Sequence, residues 1–190
     1  MSNNENLLEI FNLRASIRSF TPQEVSDQVI DKIISCAITA PSSGNMQPWE
    51  FVVIKSEEKK SELVDATFTG YFASGSNRQK WMLDAACIFV IGANQKRTKA
   101  RYGDPGEDWS IIDTSAAVGN VLLAASALGL GSCWVGGYDE ELVRRIVKFP
   151  SYIKPIGLVP IGHTQTPSVR QKRLPIDLVK HDEIYGEKKT

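Results

Sequence analysis

The sequence is poor in the residues that build metal centres and hydrolytic sites. Its 190 residues include three cysteines and two histidines. Cys36, Cys87 and Cys133 stand apart, each beside apolar residues, and no CxxC pair occurs. That spacing argues against a structural zinc site and a disulfide framework, and for buried, reduced thiols of a cytoplasmic protein. Neither His163 nor His181 lies near a GxSxG elbow, which makes a serine hydrolase a poor candidate. Neither charge is in excess, with 22 Lys and Arg against 22 Asp and Glu. A nucleic-acid binder, whose affinity rests on neutralising phosphates, would carry a basic surplus. No uninterrupted apolar run approaches the roughly 20 residues of a membrane span. The start, MSNNENLLEIF, lacks the basic and apolar regions of a signal peptide. The nucleotide-binding glycine motifs are absent too. LGLGSCW puts Trp134 where GxGxxG needs its last glycine, and GSCWVGGY lacks the Lys and Ser/Thr of a Walker loop.

What is present suits one globular domain over residues 1–190, with 42% apolar residues available for a core. Residues 5–13 read as a short amphipathic helix. A second helix is expected after Ser26, a plausible N-cap, with Val29, Ile30, Ile33, Ile34, Ala37 and Ile38 on one face. Pro41 disfavours helical geometry at Ala40 and stops it there. EFVVIK (50–55) reads as a strand, 59–67 as a helix, and ACIFVIGA (86–93) as a central strand. NQKRTKARYGDPGEDW is polar, with a DPG turn signal. Residues 111–129 are apolar nearly all round, as in a helix buried in a core or a subunit interface. Residues 140–147 suggest a helix. IGLVPIG (156–162) suggests a strand with Pro160 at an edge or bulge. From His163 onward the chain reads as an extended arm.

Four stretches carry possible chemistry. In RASIR, extended geometry puts Arg14, Ser16 and Arg18 on one face and Ala15 and Ile17 on the other. Two neighbouring guanidiniums suit a phosphate, although spacing alone favours separate pairing with surface carboxylates. In PSSGNMQPW, Gly44 or Asn45 can turn left-handed at the helix end. Its serines, amide side chains and turn N–H groups also match the donors and acceptors of a flavin's pyrimidine edge. Gly136-Gly137, after an apolar strand, lets backbone approach a flat ligand, or simply turns. Arg170, Lys172 and Arg173 form either a solvated basic arm or a second phosphate contact.

In this order, RASIRSF, APSSGNMQPW, DTSAAVGNVLLAASALGLGSCWVGG and KRLP resemble the nitroreductase family of FMN-dependent oxidoreductases over nearly the whole chain. The resemblance implies an α+β fold with a mainly antiparallel sheet flanked by helices. It also implies a homodimer with exchanged C-terminal arms and FMN at the subunit interface. By the same likeness Arg14, Ala15, Ser16 and Arg18 bind the FMN phosphate, ribityl chain and pyrimidine edge, and Arg173 completes the phosphate site with Arg170. Pro41, Ser42, Ser43 and Asn45 reach the flavin from the other subunit. Trp134, Val135, Gly136 and Gly137 lie along the isoalloxazine. Asn77, Arg78 and Lys80 are candidates for the flavin's carbonyl edge. Phe68, Tyr71 and Phe72, with Tyr102 or Trp109, would shape the open face. Two departures stand out: Gly136 where some members carry an acid, and Gln171 where some carry a second phosphate-binding base. The implied activity is ping-pong hydride transfer from NADH or NADPH through FMN to nitroaromatics, quinones or similar electron-poor acceptors. No side chain acts as a nucleophile in it, and nucleic acid and membrane are not expected partners. The alternatives are a different reaction on the same flavin fold, as in reductive dehalogenases or azoline dehydrogenases, and a non-catalytic flavin-binding protein.

Overall fold

The computed structural model describes residues 3–68, 78–166, 169 and 171–188. The helices are α1 (Asn3–Leu13), α2 (Asp27–Ala37), α3 (Glu57–Asp65), α4 (Gln95–Tyr102), α5 (Pro105–Ala127), α6 (Glu140–Ile146) and α7 (Ile176–Val179). The strands are β1 (Trp49–Ile54), β2 (Cys87–Asn94), β3 (Gly131–Ser132) and β4 (Ile153–Gly162). They form one sheet in the order β1-β2-β4-β3, antiparallel at every pairing.

β2 explains its own composition. Cys87, Phe89 and Ile91 pack on one face with Ile30 and Ile33 of α2 and Val118, Val121 and Ala125 of α5. Ile88 and Val90 pack on the other with Leu63 of α3 and Val143 of α6. A strand covered on both faces has no polar side, hence the continuous apolar run. Full burial of a side chain such as Phe89 contributes about 1.5–3 kcal/mol.

Helix starts follow their caps. Ser26 accepts from the Val29 amide, Ser56 from Lys59 and Asp139 from Leu142. α2 ends at Ala37, three residues before the stop expected from Pro41, because the chain enters a turn through Ile38 and Thr39. The polar stretch after residue 94 is helical rather than only a turn. α4 is capped by Asn94 and buries only Thr98, so no apolar stripe announces it. Pro105 begins α5 instead of marking a preceding turn, a position where its missing N–H costs nothing.

Pro160 sits neither at an edge nor at a bulge. It pairs with Ile88 inside β4, and the register shift lies at Ile91/Gly92. The Leu158 amide donates to Val135 on the β3 side of β4. By the two-residue alternation the missing Pro160 N–H faces that same side. There it falls between the Val135–Leu158 bridge and the Ser132–Ile161 pair, and removes no bond to β2. α5 is long and apolar enough to cross a membrane, but it packs against α2, α4 and the sheet.

Candidate functional site

RASIR is extended. Ser16 bridges to Ser132 of β3 in parallel, and the Ile17 amide donates to the Ser132 carbonyl at 2.9 Å. Alternation then does what the sequence predicts: Ala15 and Ile17 are buried, while Ser16 and Arg18 are exposed and Arg14 half-buried. The buried Ala15 can offer a ligand little beyond its backbone.

Arg14, Ala15, Ser16 and Arg18 meet Val169, Gln171 and Arg173 around a cleft of about 220 Å³. Among the described residues, the lining holds three guanidiniums and no carboxylate. Among the described residues, none of the three arginines forms an ion pair with an acid. Separate pairing with surface carboxylates is therefore not what the arginines do. Three like charges around a small polar cleft suit a phosphate, which guanidinium forks bind in pairs. Gln171 lines the cleft as an uncharged donor and acceptor. Arg170 lies outside the described residues. Arg18 also stacks over Trp81, 6.0 Å from the ring centroid.

Beside this cleft runs residues 131–137. The Cys133 thiol is held above its ordinary pKa by burial, against the opposing charges of Arg18 and Arg14 and a hydrogen bond with Ser16. Trp134 is partly exposed. Its indole N–H donates to the Ile156 carbonyl at 3.2 Å, and its ring lies so close over Gly157 that a side chain there would collide with it. Val135 points into the core at 3% exposure, and its N–H and C=O both pair with Leu158. The Val135 amide is thus not available to a ligand along this turn. A Cβ on Gly136 would meet nothing, whereas one on Gly137 would stand 2.6 Å from the Phe68 carbonyl. Only Gly137 is required by packing.

The loop after α2 is left-handed at Gly44 (φ 53°), Asn45 (φ 59°) and Gln47 (φ 48°). The expectation named one such residue and the chain has three. Ser42 Oγ accepts from the Gln47 amide at 3.0 Å. The Ser43 amide and hydroxyl both donate to Asp113 of α5, at 2.8 and 3.1 Å. From α4, Arg101 donates to the Gly44 carbonyl at 3.0 Å and Arg97 donates to the Gln47 carbonyl. Pro41 and Asn45 are exposed. Asp113 was not singled out in the sequence, although a lone carboxylate inside an apolar helix is itself a signal, because buried charge demands partners.

Of the carbonyl-edge candidates, Arg78 donates to the Thr67 carbonyl at 2.7 Å and Lys80 opens a short 3-10 turn. Tyr102 and Trp109 pack edge to face, 5.0 Å apart. Phe68 is 40% exposed. Tyr71, Phe72 and Asn77 lie outside the described residues. Among the described residues no cluster of His, Cys, Asp or Glu could hold a metal ion.

The comparisons agree with this geometry. The Nitroreductase family profile matches residues 13–163. An Archaeoglobus fulgidus protein, provisionally named NADH dehydrogenase/NAD(P)H nitroreductase, is 33% identical over 84% of this chain and 86% of its own. A Bacillus subtilis FMN reductase (NADPH) is 29% identical over 95% of this chain and 75% of its own. The B. megaterium NfrA2 structure superposes with a TM-score of 0.83 at 26% identity, covering 95% of this chain and 75% of that one. A nitroreductase from Exiguobacterium sibiricum, solved in complex with FMN, has the same fold, with a TM-score of 0.81 at 22% identity over 93% of this chain and 97% of that one. A four-stranded antiparallel sheet between helical layers, an arginine cleft beside a Gly-Gly turn, and a match over most of the sequence place this chain in the nitroreductase family.

Proposed function

We propose that the protein is an FMN-dependent NAD(P)H oxidoreductase, a single domain over residues 1–190 that works as a cytoplasmic homodimer. The observation that carries this reading is the carboxylate-free cleft formed by Arg14, Ser16, Arg18 and Arg173. At about 220 Å³ it holds a phosphate and the adjoining sugar alcohol, but it is below the ~300 Å³ at which pockets for whole ligands begin. The ring of FMN must extend beyond it, and residues 134–137, partly exposed, follow the strand that bridges to Ser16.

FMN, when bound, supplies a two-electron relay between a nicotinamide donor and an electron-poor acceptor. The chain's residues bind and orient it. The arginines would hold the phosphate, Ser16 would offer a hydroxyl, and Gly136 and Gly137 would supply backbone donors to the ring. Backbone donors fixed in this way favour the charge that develops on reduction. Nitroaromatics and quinones are the proposed acceptors, taken on the face the donor vacates.

A dimer is supported by exposed apolar surface. Leu8, Phe11 and Leu13 of α1 are 64%, 57% and 55% exposed, Ile112 of α5 66%, and Leu174 and Ile176 of the arm 69% and 75%. Apolar side chains in such number on one small chain mark an interaction surface. The loop 41–45 is then the part of one subunit that meets the neighbour's flavin.

Steady-state kinetics with NADPH and a quinone test the relay. Parallel double-reciprocal lines are expected. Intersecting lines, or FMN binding without turnover under either nicotinamide, would leave a flavin carrier or another flavin reaction as the better reading.

A further inference from the structure

Asp113 stands out because its helix gives it no reason to be there. It lies 8% exposed in α5, with Ile111, Ile112, Ala116 and Ala117 around it in sequence. A buried carboxylate is tolerated when hydrogen bonds satisfy its oxygens. Here both oxygens are taken by one residue, Ser43, through its amide (2.8 Å) and its hydroxyl (3.1 Å). Those bonds cross 70 residues of sequence and end in the least relaxed backbone of the site.

Three of the four residues from Gly44 to Gln47 are left-handed, and two of them, Asn45 and Gln47, carry side chains. Strained backbone of that kind persists only when its surroundings over-determine it. The surroundings do so here: Asp113 fixes Ser43, Arg101 fixes the Gly44 carbonyl, and Arg97 fixes the Gln47 carbonyl. Of these anchors only Asp113 is buried, and only Asp113 comes from α5, whose exposed side carries Trp109 and Ile112.

We propose that Asp113 is a positioning residue for the flavin site: by holding Ser43 it shapes the loop 42–47 for the neighbouring subunit's FMN, and it ties that shape to α5, whose exposed Ile112 belongs to the proposed dimer surface. The proposal rests on the FMN-dependent reading above. It gives Ser43 a specific role. Its N–H and O–H are engaged by Asp113, so it serves the flavin by shaping the loop, and Ser42 and Asn45 are left to make the contacts.

The test compares Ser43→Ala, Asp113→Asn and the double variant in the full-length protein. FMN affinity is read by quenching of FMN fluorescence, dimerisation by sedimentation, and melting temperature before FMN is added. Each single variant is expected to weaken FMN binding about tenfold, the effect of one charge-assisted bond. The double variant should lose less than the sum of the two, since Ser43→Ala removes the hydroxyl bond of the same Ser43–Asp113 pair that Asp113→Asn perturbs at both its bonds. Ser43→Thr, which keeps the hydroxyl, should restore most of the affinity. A purely structural role would instead lower the melting temperature and leave the FMN dissociation constant unchanged. Single variants that bind FMN within about twofold of wild type would overturn the proposal. So would a double variant whose loss is the sum of the two. If Asp113→Asn does not fold, Ser43→Ala, at a half-buried loop position, decides alone. A wild-type protein that binds no FMN would defeat the functional reading itself. Normal wild-type binding with unaffected variants would defeat only the role of Asp113.

Discussion

Replacing Arg18 by alanine separates phosphate binding from ring binding. Arg18 lines the cleft with Arg14, Ser16 and Arg173, and its loss would break no ion pair with an acid among the described residues. The stacking over Trp81 is worth about 0.5–1 kcal/mol to the fold, so the variant should stay folded. The loss to FMN is one charge-assisted contact, about 1.5–3 kcal/mol. Because Arg18 is exposed and screened by solvent, the lower end applies. That corresponds to a rise of about tenfold in the FMN dissociation constant. Riboflavin has the same ring and no phosphate, and its affinity should not change. Both ligands are followed by fluorescence quenching at fixed ionic strength, and the FMN difference should shrink as salt rises. An unchanged FMN constant would refute the assignment of the cleft. An equal loss for riboflavin would show that Arg18 acts on the ring or on the fold.

The two adjacent glycines should behave differently. Gly136→Ala meets no protein atom, so stability should hold while FMN binding weakens, because the methyl group intrudes on the ring; Gly137→Ala crowds the Phe68 carbonyl and should lower the melting temperature. Differential melting with and without FMN distinguishes them, and equal effects would contradict the placement of the ring over Gly136. Burial raises the Cys87 thiol from its ordinary 9.0 to about 12. The folded state therefore keeps a proton that the unfolded chain releases above about pH 9. The associated stability is complete below that pH and is lost as pH rises toward 12, about 4 kcal/mol in all. Urea melts across that range should show the decline, and Cys87→Ala should flatten it; an equally steep decline in the variant would assign it elsewhere. Cys36 is exposed while Cys87 and Cys133 are buried. A thiol reagent should label one cysteine quickly and the other two only on unfolding, and rapid labelling of all three would contradict the packing of β2.

Much of the fold was legible because local signals agreed with tertiary need. The strand at 87–94 is apolar throughout because helices cover both faces. The alternation in RASIR survived because β3 lies beside it and keeps it extended. Ser26 caps α2 as its position suggests. Other features were hidden for physical reasons. α4 is polar on nearly every side and owes its place to packing against α5, which periodicity cannot report. Pro160 suggests an edge or a bulge, yet an interior strand tolerates it where its missing N–H faces a gap in the ladder. Ser43 and Asp113 are joined by contacts 70 residues apart, and nothing local to either names the other. The sequence suggests Arg173 as a phosphate partner for Arg14 and Arg18, and the fold adds that they share one cleft with no acid among its described lining residues.

Arg14, Ser16, Arg18 and Arg173 are proposed to hold FMN for reduction by a nicotinamide. Anaerobic addition of NADPH or NADH to purified, FMN-saturated protein tests this most directly. A yellow protein that one or both nicotinamides bleach, and that a quinone restores to yellow, is expected. A colourless protein that takes up no added FMN, or bound FMN that neither nicotinamide bleaches, would contradict it.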